Sequence, residues 1–449
     1  MPSLNLRPLT PRLHLLALAI GMLGAASAQA QSLKELYEIA RNYDAPVLAA
    51  RAQADSTKYK VARAEGSLLP SASLNGSANR AESDPAGPVG TLGTTTQKLE
   101  LQAKYPLFNR TNAVSLEQAK RADEIAQADL ATAEQDLIVR LAQAYFDELT
   151  AQDALSAASA NKKAIAEQLA SAKRNFEVGT ATITDTREAQ ARYDGAVASE
   201  IAAENDLRTK RIALDQLVGQ ANVTPKPLAV PITLPTVSPS NAEEWVTMAD
   251  GSHPSIRKAR LGYDVAKLDT ELARAATLPT VDLVGGVSGT YASGSGVIAS
   301  GGRPGTTKSA QIGVQASYTL FAGGSLDARI KETVVLEDKA RNDLENARRS
   351  VAQGTRQAFY STQSLQAQAK ALEAAEASNK LALEATQLGY KVGVRVNLDV
   401  LNAQTQLFNA QRDLSKARHD TIVTSLKLRQ AAGQLSPQDV QAVDALLAR

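Results

Sequence analysis

Cysteine is absent from the 449 residues. That excludes structural disulfides, thiolate metal ligands, cysteine nucleophiles and lipidation at a cysteine. Histidine is scarce: His14, His253 and His419 are too few and too scattered for a histidine-based metal site. Aromatic residues make up 4 %, with a single tryptophan, which argues against aromatic-rich cores and for closely packed, alanine-rich helices. A basic surplus is lacking as well. Lys and Arg number 49 against 47 Asp and Glu, so no nucleic-acid footprint is expected. Long hydrophobic runs are missing after residue 30, which excludes a transmembrane helix there and leaves any membrane contact to another architecture. Length alone allows two or three domains.

What is present begins with an address. Arg7 and Arg12 precede an apolar run from Leu13 to Ala26, and Ala28-Gln29-Ala30 reads as a small-x-small cleavage site. Residues 1–30 are expected to be a secretory signal peptide, cut between Ala30 and Gln31. Removing Arg7 and Arg12 leaves acids and bases equal. The remainder repeats itself. Asn175-Phe176-Glu177-Val178-Gly179 returns as Gly389-Tyr390-Lys391-Val392-Gly393, Asp185 as Asp399, and Ala144-Tyr145-Phe146 as Ala358-Phe359-Tyr360. Leu69-Pro70 returns as Leu278-Pro279, and Pro46 as Pro254. Two supersecondary units are therefore expected, residues 31–224 and 243–435. A proline-rich linker, 225–242, separates them, and a tail, 436–449, follows.

Each unit reads helix, two strands, a very long helix, a turn and a further helix. The helices 111–176 and 325–390 carry apolar residues seven apart, Leu130, Leu137, Ala144, Ala151 and Ala158 in one and Leu344, Val351, Ala358, Leu365 and Leu372 in the other. A period of seven marks coiled-coil packing. About 66 residues at 1.5 Å each give a rod of roughly 100 Å. Gly179 and Gly393 end the rods, Thr184 or Asp185 is expected to cap the helix 185–218, and Asn397 or Asp399 the helix 399–432. His419 reads as a surface residue. Earlier in each unit, helices at about 33–66 and 243–276 lead into strands at about 70–80, 97–107, 279–291 and 309–321. Leu99, Leu101, Ala103, Tyr105 and Leu107 alternate with polar residues, as do Ala310, Ile312, Val314, Ala316, Tyr318 and Leu320. Stretches of 9–13 alternating residues have the length of transmembrane barrel strands. Gly- and Ser-rich loops at 81–96 and 292–307 join each pair. The second lacks the Gly-Lys-Ser/Thr ending of a phosphate cradle.

Four strands cannot close a barrel with a usable lumen, which takes about eight or more, and lipid tolerates no open strand edge. Several copies sharing one outer-membrane β-barrel, continued by a ring of helices in the periplasm, is the economical solution. The paired units resemble the TolC family of outer-membrane channel proteins over about residues 32–435. Leu-Pro before a strand, Tyr105-Pro106-Leu107-Phe108, Tyr318-Thr319-Leu320-Phe321-Ala322-Gly323-Gly324 and the Val-Gly turns followed by Asp carry the likeness. The fold class expected is mainly α with a small β part. The resemblance implies a homotrimer with a twelve-stranded barrel in outer-membrane lipid and a twelve-helix tunnel. It also implies docking to a periplasmic adaptor protein and to an inner-membrane ABC or proton-driven pump, in type I protein secretion or drug efflux. Gln31, where lipoprotein relatives carry cysteine, fits the non-lipidated type.

No nucleophile, base and orienter can be assembled, so neither catalysis, nor a cofactor, nor a metal is expected. Carried over by motif position, the family's periplasmic gate implies Asp185 against Tyr390, Thr184 against Arg395, and Gln168 against Gln387. Asp399 would line the aperture. Asn402 stands where the family often has a second acid, so the implied ring holds three carboxylates in place of six. Val178, Gly179, Val392 and Gly393 would form the tips that meet the adaptor. Asp185 and Asp399 also sit where Asp commonly caps a helix, Arg395 fits a solvated side chain, and Tyr390 fits ordinary packing. Two rival readings remain: a periplasmic or surface coiled-coil structural or adaptor protein without pore activity, and a secreted enzyme of helical repeats. The first leaves the four alternating strands unexplained, and the second lacks catalytic residues.

Overall fold

The computed structural model describes residues 30–85, 90–229, 231–232 and 234–448. The signal-peptide reading of residues 1–30 lies outside them except at Ala30. The chain divides into two compact units. One takes the chain up to Leu48, Glu134–Trp245 and everything from Thr355; the other takes Ala49–Ala133 and Val246–Gly354.

Local chemistry sets where the elements start. Helices α1 (Leu33–Ala40) and α2 (Ala45–Gly66) replace the continuous helix expected at 33–66. The break falls at Asp44, whose Oδ2 accepts from the Val47 amide at 3.3 Å, and Pro46 follows where a missing N–H is harmless. The second repeat breaks at the matching place, giving α5 (Ala242–Ser252) and α6 (Pro254–Ala275) in place of one helix at 243–276. Here His253 is the cap, its Nδ1 accepting from the Ser255 amide at 3.1 Å, and burial lowers its pKa. Neutral imidazole suits that acceptor role.

The very long helices are α3 (Arg110–Glu177) and α8 (Ser325–Lys391), followed by α4 (Ile183–Val218) and α9 (Asn397–Ala431). The cap of α4 is Thr182, not Thr184 or Asp185. Thr182 Oγ1 accepts from the Asp185 amide at 3.2 Å, and Asp185 Oδ2 accepts from the Thr182 amide at 2.9 Å, a reciprocal capping box. Neither Asn397 nor Asp399 caps α9; Val396 holds that position without a side-chain bond. The tail is not featureless, since α10 (Pro437–Asp444) lies within it. Residues 225–229 are tied on both sides. Gln31 pairs with Pro225 in a parallel bridge, Leu228 pairs with Leu447 in an antiparallel one, and the Ala448 amide donates to the Pro227 carbonyl at 2.8 Å.

The sheet lies in the second unit. Strands β1 (Ser71–Ser83), β2 (Leu92–Phe108), β3 (Thr280–Ser293) and β4 (Gly305–Ser317) pair antiparallel in that order. A five-residue helix, α7 (Ser295–Ala299), sits in the loop between β3 and β4. β4 begins and ends earlier than the sequence suggested, so Tyr318 to Phe321 follow it as irregular chain. The register puts Leu74 opposite Leu101, Leu101 opposite Val287, and Val287 opposite Ala310. Because side chains alternate across a sheet, these residues form an apolar band on one face, which gives way to polar residues toward the loop end of the strands. The opposite face carries the row Asn75, Glu100, Ser288 and Ser309. In isolation the band is open to solvent, with Leu74, Leu99, Ile312 and Val314 all exposed.

Candidate functional site

The site is built at the helical turns of the first unit. Gly179 and Gly393 end α3 and α8 with φ of 77° and 81°, a left-handed conformation that glycine adopts without strain. Beside these turns the apolar seam of α3 and α4 closes over small residues. Ile165, Leu169 and Ala172 pack with Ala189 and Ala196 of α4 and Leu401 of α9, with Tyr193 laid against them. The turns leave their own apolar residues outside this seam: Val178 is 72 % exposed, Val392 65 % and Val394 75 %.

A polar recess of about 470 Å³ opens between the two turns, lined by Asn175, Asp185, Tyr390, Lys391, Arg395 and Asn397 among others. It brings Asp185, Tyr390 and Arg395 together. The bonds within one chain are other than those carried over from the family. Tyr390 Oη accepts from Asn175 Nδ2 at 3.2 Å. The Asp185 carboxylate is taken up by its own capping box, where Oδ2 also accepts from Thr182 Oγ1 at 2.8 Å. Arg395 Nη1 lies 3.6 Å from Asp399 Oδ2 one turn on. Its side-chain stem covers Gly389, where an added Cβ would come within 2.8 Å of Arg395 Cγ. Thr184 is exposed, and no hydrogen bond joins Gln168 to Gln387 among the described residues.

One residue of this region, Arg192, had gone unremarked in the sequence, and Asn397, expected as a cap, has another place. Arg192 Nη2 donates to Asn402 Oδ1 at 3.1 Å, joining α4 to α9. Asn397 is buried, and its Oδ1 has no partner among the described residues. Arg192 stands seven residues after Asp185, one heptad along the same helix face, which is the signal that would have pointed to it. Per chain, Asp399 thus lies 3.6 Å from the Arg395 guanidinium, and Arg192 is bonded to Asn402 three residues on. An exposed pair such as Arg395–Asp399 contributes little to stability. The arrangement is suited to setting local charge.

A second cluster corrects the reading of His419 as a surface residue. It is 4 % exposed. Its ring lies 5.4 Å from that of Phe146, and Nδ1 is 2.8 Å from Thr150 Oγ1. Local pattern placed His419 on the outside of α9, but residues of α3 cover it. Burial pushes its pKa down, against the upward pull of Asp153 and Asp420. The unfolded chain therefore takes up a proton that the folded chain resists. Stability should be complete above the ordinary histidine value of about 6.5 and should decline as pH falls below it, by at most about 1.4 kcal/mol per pH unit. Thermal midpoints of wild type and His419→Leu at about pH 7.5 and pH 5.5 check this. The variant should lose less on acidification, and an equal loss in both would show that His419 plays no part.

Comparison with known proteins follows the same lines. The profile of the family described as "Outer membrane efflux protein" matches residues 36–220 and 245–434, one segment in each repeat. Outer membrane protein TolC of Vibrio cholerae is 34 % identical over 427 residues, which span 95 % of this chain and 96 % of that protein. The proteases secretion protein PrtF of Dickeya chrysanthemi is 28 % identical over 434 residues, covering 93 % and 91 %. Among solved structures, the outer membrane protein VceC of Vibrio cholerae superposes with a TM-score of 0.75 at 21 % identity, over 89 % of this chain and 96 % of that one. That last likeness is one of fold.

Proposed function

The chain belongs to the Outer membrane efflux protein family, and from that premise we propose that three copies form one export conduit. It is an outer-membrane channel protein, passing proteins or small toxic compounds outward. The sheet carries the reading. It has four strands, the outer edges of β1 and β4 meet no further strand among the described residues, and one face is apolar over all but its loop end. Backbone groups on an open edge are untenable in lipid, so edges of neighbouring copies must pair. Three such sheets make about twelve strands, within the range of natural barrels. The apolar band then faces lipid and the row of Asn75, Glu100 and Ser288 faces the lumen. The helices support the same assembly. Val334, Val335, Leu336, Leu381 and Leu388 of α8 are exposed in a single chain, an arrangement that neighbouring helices would relieve.

The turns are the closing end of the conduit. Asp399 of each copy lines the aperture, Tyr390 and Arg395 belong to the contacts that hold it shut, and the exposed valines at 178 and 392 meet a periplasmic adaptor. An inner-membrane ABC or proton-driven pump supplies the cargo. A partner that binds the open arrangement better shifts the population toward it. With Asn402 neutral and Arg192 bonded to it, the ring should prefer cations only weakly. Purified protein in planar lipid bilayers tests the proposal. It should give discrete conductance steps, and Asp399→Ala should move the reversal potential in a salt gradient toward zero or beyond. A chain that stays monomeric and conducts nothing would refute the channel, and a reversal potential untouched by Asp399→Ala would refute the ring.

A further inference from the structure

The apolar face of the sheet carries three charged residues, Arg80, Glu82 and Lys308, all toward the loop end of the strands. Arg80 and Glu82 neutralise each other at 2.9 Å. Lys308 has no ion-pair partner among the described residues and is exposed. The register gives its surroundings. Lys308 lies opposite Gly289, which lies opposite Leu99, which lies opposite Gly76. The two glycines leave the row without side chains on either side of Leu99. Below this row the band is wholly apolar. Above it Tyr291 lies opposite Thr306 and Gln97.

The missing side chains open a cleft of about 540 Å³, lined by Leu74, Leu99, Leu101, Val287, Gly289 and Lys308 among others. It is apolar along its length and cationic at its loop end. A lysine on a lipid-facing strand is tolerated near the headgroups and costly at mid-membrane, and tyrosine concentrates at the same level. An ammonium at the mouth of an apolar cleft matches an amphiphile with an anionic head and a hydrocarbon tail.

We propose that this cleft binds a phosphorylated glycolipid of the outer leaflet, its phosphate on Lys308 and one acyl chain along Leu99, Leu101 and Val287. The inference rests on the channel reading, which points the loop end outward and the apolar band toward lipid. A charge-assisted bond to phosphate is worth about tenfold in affinity.

The test uses the purified full chain in phosphatidylcholine nanodiscs, titrated with diphosphorylated lipid A or with its dephosphorylated form. Retained lipid is counted by native mass spectrometry, and the same preparations are recorded in planar bilayers. Wild type should prefer the phosphorylated form, and Lys308→Gln should lose about tenfold toward that form alone. Lys98→Gln, on the opposite face and next to Leu99, should leave lipid binding unchanged. Conductance should be the same in wild type and Lys308→Gln. Equal binding by wild type and Lys308→Gln, in preparations that conduct normally, overturns the lipid site and leaves the channel standing. An equal loss in Lys98→Gln would mean that the polar face meets lipid, and it also overturns the proposal. A wild-type chain that neither assembles nor conducts removes the channel reading and this inference with it.

Discussion

Tyr145→Ala is expected to destabilise the folded chain by about 3–5 kcal/mol, the range for deleting a fully buried large aromatic side chain. Tyr145 is 0 % exposed and sits edge-on to Phe146 with ring centroids 5.4 Å apart. Its hydroxyl lies 3.0 Å from the Lys226 carbonyl and 3.2 Å from that of Gln31. Those two segments are themselves joined, the Gln31 amide donating to the Thr224 carbonyl at 2.7 Å and the Lys226 amide to Gln31 at 3.2 Å. One phenol thus fastens the start of the described chain and the linker to the middle of α3. Burial raises its pKa, so the group stays a donor across ordinary pH. Tyr145→Phe removes only the hydroxyl and should lose about 1 kcal/mol. Thermal dissociation of the purified protein separates the cases. Tyr145→Ala should fall well below Tyr145→Phe, and equal midpoints would mean that the cavity has collapsed around the missing ring.

Much of the fold was legible because it was written twice. The Val-Gly turns are plain in sequence, since a left-handed turn leaves few alternatives to glycine. The strands are plain because alternation over a dozen residues fits nothing else. The buried phase of α8 was not legible. Val351, Ala358 and Leu365 have the apolar period, yet they are only half-buried, while Thr355, Thr362 and Ala369 are buried four residues later. Thr355 Oγ1 donates to the Ala431 carbonyl at 2.8 Å, and Thr362 Oγ1 donates to the Ala358 carbonyl at 2.7 Å. A threonine that bonds backbone carbonyls behaves as a small core residue, and a search for apolar letters passes over it. The apolar residues left outside then await another copy, which one chain's sequence cannot display. In the candidate site the residue types were visible, but the partners were not. The box Thr182 to Asp185 has a readable spacing, whereas Asn175 to Tyr390 and Arg192 to Asn402 join segments about 210 residues apart and depend on how the two repeats meet.

The glycines that end helices separate backbone strain from packing, and they yield the second large effect. Gly219, the cap of α4, has φ of 77°, and an added Cβ would lie 2.6 Å from ring atoms of Tyr43. Gly179 has the same φ of 77°, but a Cβ there would meet nothing within 4 Å. Alanine at either position takes on the left-handed penalty of about 1–2 kcal/mol. At Gly219 it must also displace a ring, which adds roughly 1–3 kcal/mol of overpacking. Tyr43 is 56 % exposed, so the ring can swing outward, at the price of uncovering the end of α4. Gly219→Ala should therefore be clearly less stable than Gly179→Ala when both are melted side by side, and Tyr43→Ala should restore part of the difference in the double variant. Removing the ring relieves the clash but leaves the backbone strain and uncovers the end of α4, so the double variant should settle between Gly219→Ala and Gly179→Ala. Equal losses at the two glycines would show that the contact with Tyr43 yields freely and that only the backbone resists.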